Sequence, residues 1–302
     1  MKHKPLGEQV IVITGASSGM GLCTAVLAAE RGARVVMLAR SIEVLEQVVL
    51  AIEGEGGSAT AMEVDVADRQ QVEAAVAAIL ARHGRIDTWV NNAGVAIYGR
   101  LDEVDEQDSR RLFDVNFWGV VNASLAVLPA LRASRGVLVN LGSEVSEAVL
   151  ALQGMYAASK HAVKGFTDAL RVEQELVEDA GVSVVLVQPG ATNTPYPQHA
   201  RNYLDHEPKL PTPLIDPQRV AETILKAAEQ GGRDIKVGAM AHMDVTMSRL
   251  LPRLADRMAA MQAGRQEHGV APLRPEGTLF RPGNSGRIHG VDDEGRILRS
   301  GA

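Results

Sequence analysis

The chain reads as an α/β protein built on a doubly wound parallel sheet, and three observations predict it. Short β-branched runs alternate with helical stretches from Val10 to Val237, as expected where each helical crossover returns the chain to a parallel neighbour. The first run, Val10 to Ile13, opens into Thr14-Gly15-Ala16-Ser17-Ser18-Gly19-Met20-Gly21 and then into a helix, an arrangement whose backbone N–H groups can receive a pyrophosphate. A later apolar run, Val137 to Leu141, is followed by Ser143 and by a stretch from Gln153 on which Tyr156 and Lys160 are four residues apart. On a helix that spacing puts both side chains on one face.

Composition bounds the rest. The 302 residues, 46% hydrophobic and 23% charged, are enough for one large domain or two small ones, each with a core. A formal net charge of -6 argues against a nucleic-acid binder. No run of 18 uncharged apolar residues occurs, so no membrane span is expected. The N-terminal apolar run is too short for a signal peptide. Cys23 is the single cysteine, so no internal disulfide can form, and no Cys/His spacing fits zinc. A cytoplasmic location is the expectation that follows.

In chain order, the glycine spacing at the first turn is G-x-x-x-G-x-G, a variant of the dinucleotide fingerprint. Arg34 to Ala39 reads as the second strand. After it come Arg40 and Ser41, with no acid before Glu43; an acid here would hold a ribose 2'-hydroxyl, whereas an arginine suits a 2'-phosphate, so NADP is expected over NAD. Ser41 caps a helix closed by Gly54, Gly56 and Gly57. Ala59 to Val66 is a short strand that delivers Asp65 and Val66 to the carboxyl edge of the sheet, Val72 to Leu80 a helix, and Asp87 to Val90 a strand entering Asn91-Asn92-Ala93-Gly94. Arg110 to Leu131 is apolar nearly all round and calls for burial on more than one side. A free tyrosine, with a pKa near ~10, is a poor acid at neutral pH, and a neighbouring ammonium favours its phenolate; Lys160 is expected to tune Tyr156 in this way. Glu144 and Glu147 read as exposed loop carboxylates flanking Ser143. Five prolines between Pro195 and Pro213 exclude a long helix there, and Tyr196, Tyr203 and Leu204 offer an apolar or aromatic surface. Asp216, Pro217 and Gly231 frame a helix, and Asp234 to Val237 is the last strand.

Taken together, TGASSGMG at 14–21, NNAG at 91–94, N-x-x-G at 116–119, Ser143, YAASK at 156–160 and PGATNT at 189–194 resemble the short-chain dehydrogenases/reductases over roughly residues 8–240. The resemblance implies a Rossmann-type sheet of seven parallel strands with a nicotinamide dinucleotide across its carboxyl edge. It implies that Tyr156 is the general acid/base, that Ser143 holds the substrate oxygen, that Lys160 binds the nicotinamide ribose and lowers the tyrosine pKa, and that Asn116 holds a relay water. It places Gly15, Ser17, Ser18 and Met20 at the phosphates, Asp65 and Val66 at the adenine, Asn91 near the adenosine ribose, and Thr192 and Thr194 at the carboxamide. Position 192 departs from the aliphatic residue many members carry, and Ser18 stands where some NADP-binding members have a basic residue, which leaves Arg40 to carry the NADP preference. The apolar helix around residues 110–131 and the one after Tyr156 would form a dimer or tetramer interface.

Residues 1–240 are therefore expected to form one domain with both cofactor and catalytic sites, and 241–302 a helical extension and arm. Residues 243–263 have helical periodicity broken at Pro252, and 264–302, rich in Gly, Arg and Asp, have little to bury; such an arm would be ordered only by packing on the substrate cleft or on a neighbouring subunit. The expected activity is NADP-dependent interconversion of a ketone or aldehyde and an alcohol on a fairly apolar substrate. The alternatives are a catalytically silent dinucleotide sensor and an NAD-preferring dehydrogenase.

Overall fold

The computed structural model describes residues 2–267 and 269–291. The strands are β1 (Val10–Thr14), β2 (Arg34–Ala39), β3 (Ser58–Glu63), β4 (Thr88–Asn91), β5 (Ile97–Tyr98), β6 (Val137–Leu141), β7 (Ser183–Pro189), β8 (Arg201–Asn202) and β9 (Asp234–Val237). The α-helices are α1 (Gly19–Glu30), α2 (Ile42–Gly54), α3 (Arg69–His83), α4 (Glu106–Phe113), α5 (Gly119–Ser134), α6 (Gly154–Arg171), α7 (Tyr196–His199), α8 (Pro217–Gln230), α9 (Ala239–Leu250) and α10 (Pro252–Gln262).

Seven strands form one parallel sheet in the order β3-β2-β1-β4-β6-β7-β9. The order reverses at β1, and the loops after β1 and β4 open side by side at the carboxyl edge, where a doubly wound sheet takes its ligand. Every residue of β1, β6 and β7 is buried, because helices cover both faces and no polar alternation is needed. On one face Ile11, Ile13, Met37, Val139 and Val187 pack with α1, α2 and α8; on the other Val10, Val12, Trp89, Leu138 and Val184 pack with α3, α5 and α6. Each such side chain contributes ~1.5–3 kcal/mol by leaving water.

The long apolar stretch is a helix run from Glu106 to Ser134, interrupted by a π turn at Asp114–Trp118, where Gly119 N donates to Asp114 O. By length and composition alone this run could cross a membrane, but half of its apolar window is buried in the fold, which is how a core helix passes the same test. A second π turn, Val172–Val177, ends α6. Strand β7, an SVVLVQP run, fills the place between β6 and β9. Arg171, almost fully buried, ties α6 to the sheet through Val184 O, Asp168 and Asp234. The proline-rich stretch holds only α7 and β8, and β8 pairs with β5 in a two-residue parallel clip, Ile97 to Arg201 and Tyr98 to Asn202. Beyond α10 the arm lies against its own chain as far as Val291; the rest of the expected arm, 292–302, falls outside the described residues.

Candidate active site

The carboxyl edge carries a cavity of about 230 Å³ that runs from the glycine turn to Ser143, Tyr156 and Lys160. At the catalytic end, β6 hands the chain to Ser143, which caps a short 3₁₀ turn: Ser143 Oγ accepts from Val145 N at 3.3 Å and Ser146 Oγ accepts from Ser143 N at 3.1 Å. This reciprocal cap fixes where the hydroxyl sits. Nearly two turns into α6, Lys160 is buried, its Nζ donating to Leu141 O at 2.7 Å and lying 5.7 Å from the centre of the Tyr156 ring. Tyr196 meets the Tyr156 ring edge-on at a centroid separation of 5.4 Å.

The electrostatics differ from the expected tuning. Burial pushes the Tyr156 phenol up to about 12; the Tyr196 and Ser143 hydroxyls oppose that and the charge of Glu144 adds to it. Burial also pulls Lys160 down to about 8. Burial thus opposes the ionisation of Tyr156 that a neighbouring ammonium would favour.

Asn116 sits on the π turn, fully buried. Its Oδ1 accepts from Val95 N at 2.8 Å, and its Nδ2 donates to Val95 O at 3.0 Å and Ser159 Oγ at 3.1 Å. The side chain braces the loop after β4 against α6 and does not line the cavity.

At the cofactor end, Gly15 adopts φ 65° and a Cβ there would lie 2.7 Å from Ala93 Cα; a Cβ on Gly21 would lie 2.4 Å from Asn92 Nδ2. Glycine is thus required for the turn to pack on the loop after β4. Ser18 is the N-cap of α1 yet makes no side-chain cap bond, so its hydroxyl leaves the first N–H groups to other acceptors, as an anion-binding helix start requires. Ser17, Ser18, Met20, Arg40, Asp65, Val66, Thr192 and Thr194 all line the cavity. These residues fit a dinucleotide. Arg40 already donates to two backbone carbonyls, Leu279 O at 3.2 Å and Thr278 O at 2.5 Å. Asn91 is the expected cofactor residue whose side chain turns away. Its Nδ2 donates to Asn140 Oδ1 at 2.8 Å and Ser124 Oγ at 3.0 Å, and its Oδ1 accepts from Trp89 Nε1 at 2.8 Å. Strand alternation carries the signal: Asn91 shares the face of Trp89 toward α5, and Asn92, just past the strand, faces the cleft with Nδ2 on Thr14 O and Gly15 O.

The two glutamates are not exposed loop carboxylates. Glu147 is bound by Gln188, Lys236 and Arg249, and its side chain is 5% exposed; burial alone would raise it, but these partners outweigh burial and hold it below the ordinary range. The Glu144 Oε2 atom is buried without a hydrogen-bond partner, and burial, helped by nearby Asp244, pushes the carboxyl up to about 7. Glu144 borders both the main cavity and a second one of about 420 Å³ lined by Val145, Leu150, Ile215, Met240, Met247 and Met258. Of the three residues suggested for a ligand surface, Tyr196 lines the main cavity, whereas Tyr203 bonds Asp108 at 2.7 Å and packs under Arg201, and Leu204 joins Ala96, Tyr98 and Ala200.

Comparison with known proteins agrees with this geometry. The short chain dehydrogenase family profile matches residues 9–204. The uncharacterized oxidoreductase YxnA of Bacillus subtilis is 40% identical over 94% of this chain and 81% of its own length. The 3-ketodihydrosphingosine reductase of Bacteroides thetaiotaomicron is 38% identical over 62% of this chain and 65% of its own. A gluconate 5-dehydrogenase from Burkholderia cenocepacia, solved with NADP and tartrate, superposes with a TM-score of 0.69 at 26% identity, covering 78% of this chain and 96% of that one. Sheet order, site and family match together make this chain a member of the short-chain dehydrogenases/reductases, an oxidoreductase.

Proposed function

We propose that this chain reduces a fairly apolar ketone, or oxidises the matching secondary alcohol, with NADP(H), and that Tyr156 is its general acid/base. The observation that carries the reading is the Tyr156 phenol at the cavity wall, beside the Ser143 and Tyr196 hydroxyls and backed by buried Lys160. A dinucleotide bound along the cleft would supply or accept the hydride at its nicotinamide ring. In reduction Ser143 holds the substrate oxygen by a hydrogen bond and Tyr156 gives that oxygen its proton as the carbonyl carbon gains hydride. The adjacent Lys160 ammonium stabilises the phenolate left behind.

Arg40 just after β2, with no acid in the sequence before Glu43, supports NADP over NAD, in keeping with the NADP bound to the gluconate 5-dehydrogenase. The methionine-lined cavity supports an apolar substrate body, since flexible thioethers adapt to an irregular chain. Glu144 supports a hydrogen-bond donor, a hydroxyl or an amine, near the reacting carbonyl, because a buried carboxyl without a partner is costly until one arrives. A homodimer or homotetramer is part of the same reading: Trp118 and Leu125 are about half exposed near and on α5, and Leu176 and Val177 about three-quarters exposed after α6, more apolar surface than a free face keeps.

The test is a panel of alkyl, α-hydroxy and α-amino ketones and their alcohols, followed at the nicotinamide absorbance with NADPH and NADH. Turnover that is faster with NADPH and with longer apolar chains is expected. Tight cofactor binding with no turnover of any of them would favour the silent-sensor alternative.

A further inference from the structure

We infer that the C-terminal arm, Thr278–Arg287, is an intramolecular occupant of the adenosine half of the cofactor cleft, so that arm docking and dinucleotide binding compete. The inference rests on the cofactor reading above and on where the arm spends its polar and apolar groups. Leu279 is fully buried and inserts among Val66, Leu112 and Val115, beside the Asp65-Val66 pair expected at the adenine. Phe280 beside it and Leu273 upstream are 50% and 84% exposed, so Leu279 anchors this end of the segment, while Ile288 packs on the core at the other end.

The arm's carbonyls complete the substitution. Thr278 O and Leu279 O take both terminal nitrogens of Arg40, the group expected at the 2'-phosphate. Arg111, ion-paired to Asp65, also donates to Leu279 O at 3.3 Å. Gly283 O accepts from Ser41 Oγ. At the glycine turn, Arg287 O accepts from Gly19 N at 2.9 Å and so takes the first N–H of α1, where a pyrophosphate would sit. Two tethers hold the segment at its ends: Thr278 N donates to His199 O at 2.8 Å and Gly290 N to Asn193 Oδ1 at 3.2 Å.

The groups satisfied by the arm want negative charge, and the arm offers them only neutral carbonyls. Charge-assisted bonds from phosphate oxygens to arginine and to helix N–H groups are roughly twice as strong as neutral ones. The arm therefore works as a placeholder: it satisfies buried donors and covers an apolar slot while the site is free, and it yields to a ligand carrying phosphates. A ligand with a 2'-phosphate displaces it more readily than one without, which sharpens discrimination between the two dinucleotides.

Hydrogen exchange on the full chain, with and without saturating 2',5'-ADP or NADP, reads the arm directly. The amides of Thr278 and Gly290 should be protected in the free protein and exchange at least ten times faster at saturation. In parallel, Leu279→Ala in the full chain should tighten NADPH binding about tenfold, measured by fluorescence titration. Unchanged or greater protection at saturation, or an affinity of Leu279→Ala equal to or weaker than that of the wild type, overturns the inference, because the arm would then be a clamp over the cofactor or a bystander. Failure of both proteins to bind any dinucleotide overturns the cofactor reading together with this one, whereas binding without release of the arm overturns this one alone.

Discussion

The two ends of the cleft are built on different plans. At the catalytic end the proposed groups are held by bonds close in sequence: a reciprocal cap within residues 143–146 fixes Ser143, α6 spaces Tyr156 from Lys160, and Leu141 O at the end of β6 holds the ammonium. At the adenosine end the groups belong to β1, β2 and the residues after β3, but Arg40, Ser41 and Gly19 make bonds to a segment more than two hundred residues downstream. Short-range geometry makes the first end a fixed machine; long-range packing makes the second conditional.

The sharpest way to probe that contrast is Tyr156→Phe, which removes one oxygen from the fixed end. General acid catalysis is worth about 10²–10⁴-fold, so kcat should fall within that range while the dinucleotide Kd stays near its original value. A comparable loss of affinity would show that the two ends are not separable.

Glu144 tests the same end through stability. Its carboxyl is raised to about 7 in the fold, against ~4.3 for a free side chain. The native state thus binds more protons than the unfolded state between those values, and its advantage is complete below the lower one and lost as pH rises through the upper one. Glu144→Gln removes that loss. Denaturant unfolding at pH 8 should show the variant gaining on the wild type by up to roughly 3 kcal/mol relative to pH 5. Equal pH slopes for both proteins would mean that the carboxyl finds a partner or water in solution.

Arg40→Asp addresses the conditional end. Losing a charge-assisted bond costs about 1.5–3 kcal/mol, so kcat/KM with NADPH should drop by about 10–100-fold and the preference turn toward NADH. The same variant frees Thr278 O and Leu279 O, so faster exchange across the arm should accompany it. A change of preference with the arm undisturbed would detach the arm from Arg40.

The sheet, most helix starts and the residues proposed for catalysis were legible because their signals are local: β-branched runs, Asp216 capping α8, Ser41 at the start of α2 although its hydroxyl turns to Gly283 O and not to the helix, and a tyrosine and lysine one turn apart. The π turn at Asp114–Trp118 was not, since inserting one residue into a helix leaves an apolar run looking the same. Glu144 and Glu147 look alike in a loop, and only the arrival of β9 and α9 from nearly a hundred residues away pairs one and buries the other. The arm was least legible of all. Its bonds to Arg40, Ser41 and Gly19 come from carbonyls that any residue would have provided, and Leu279, Ile288 and Thr278 are isolated side-chain contacts without a periodic pattern.

Glu147 has a consequence for anyone recombining this protein with its relatives. It receives Lys236 from β9 and Arg249 from α9 one residue past the end of the turn that Ser143 caps. A chimera that swaps in a foreign carboxyl-terminal extension, to widen the range of compounds accepted, would strip one cation from this junction. Transplants should carry Arg249 along with the new helix, or graft beyond it.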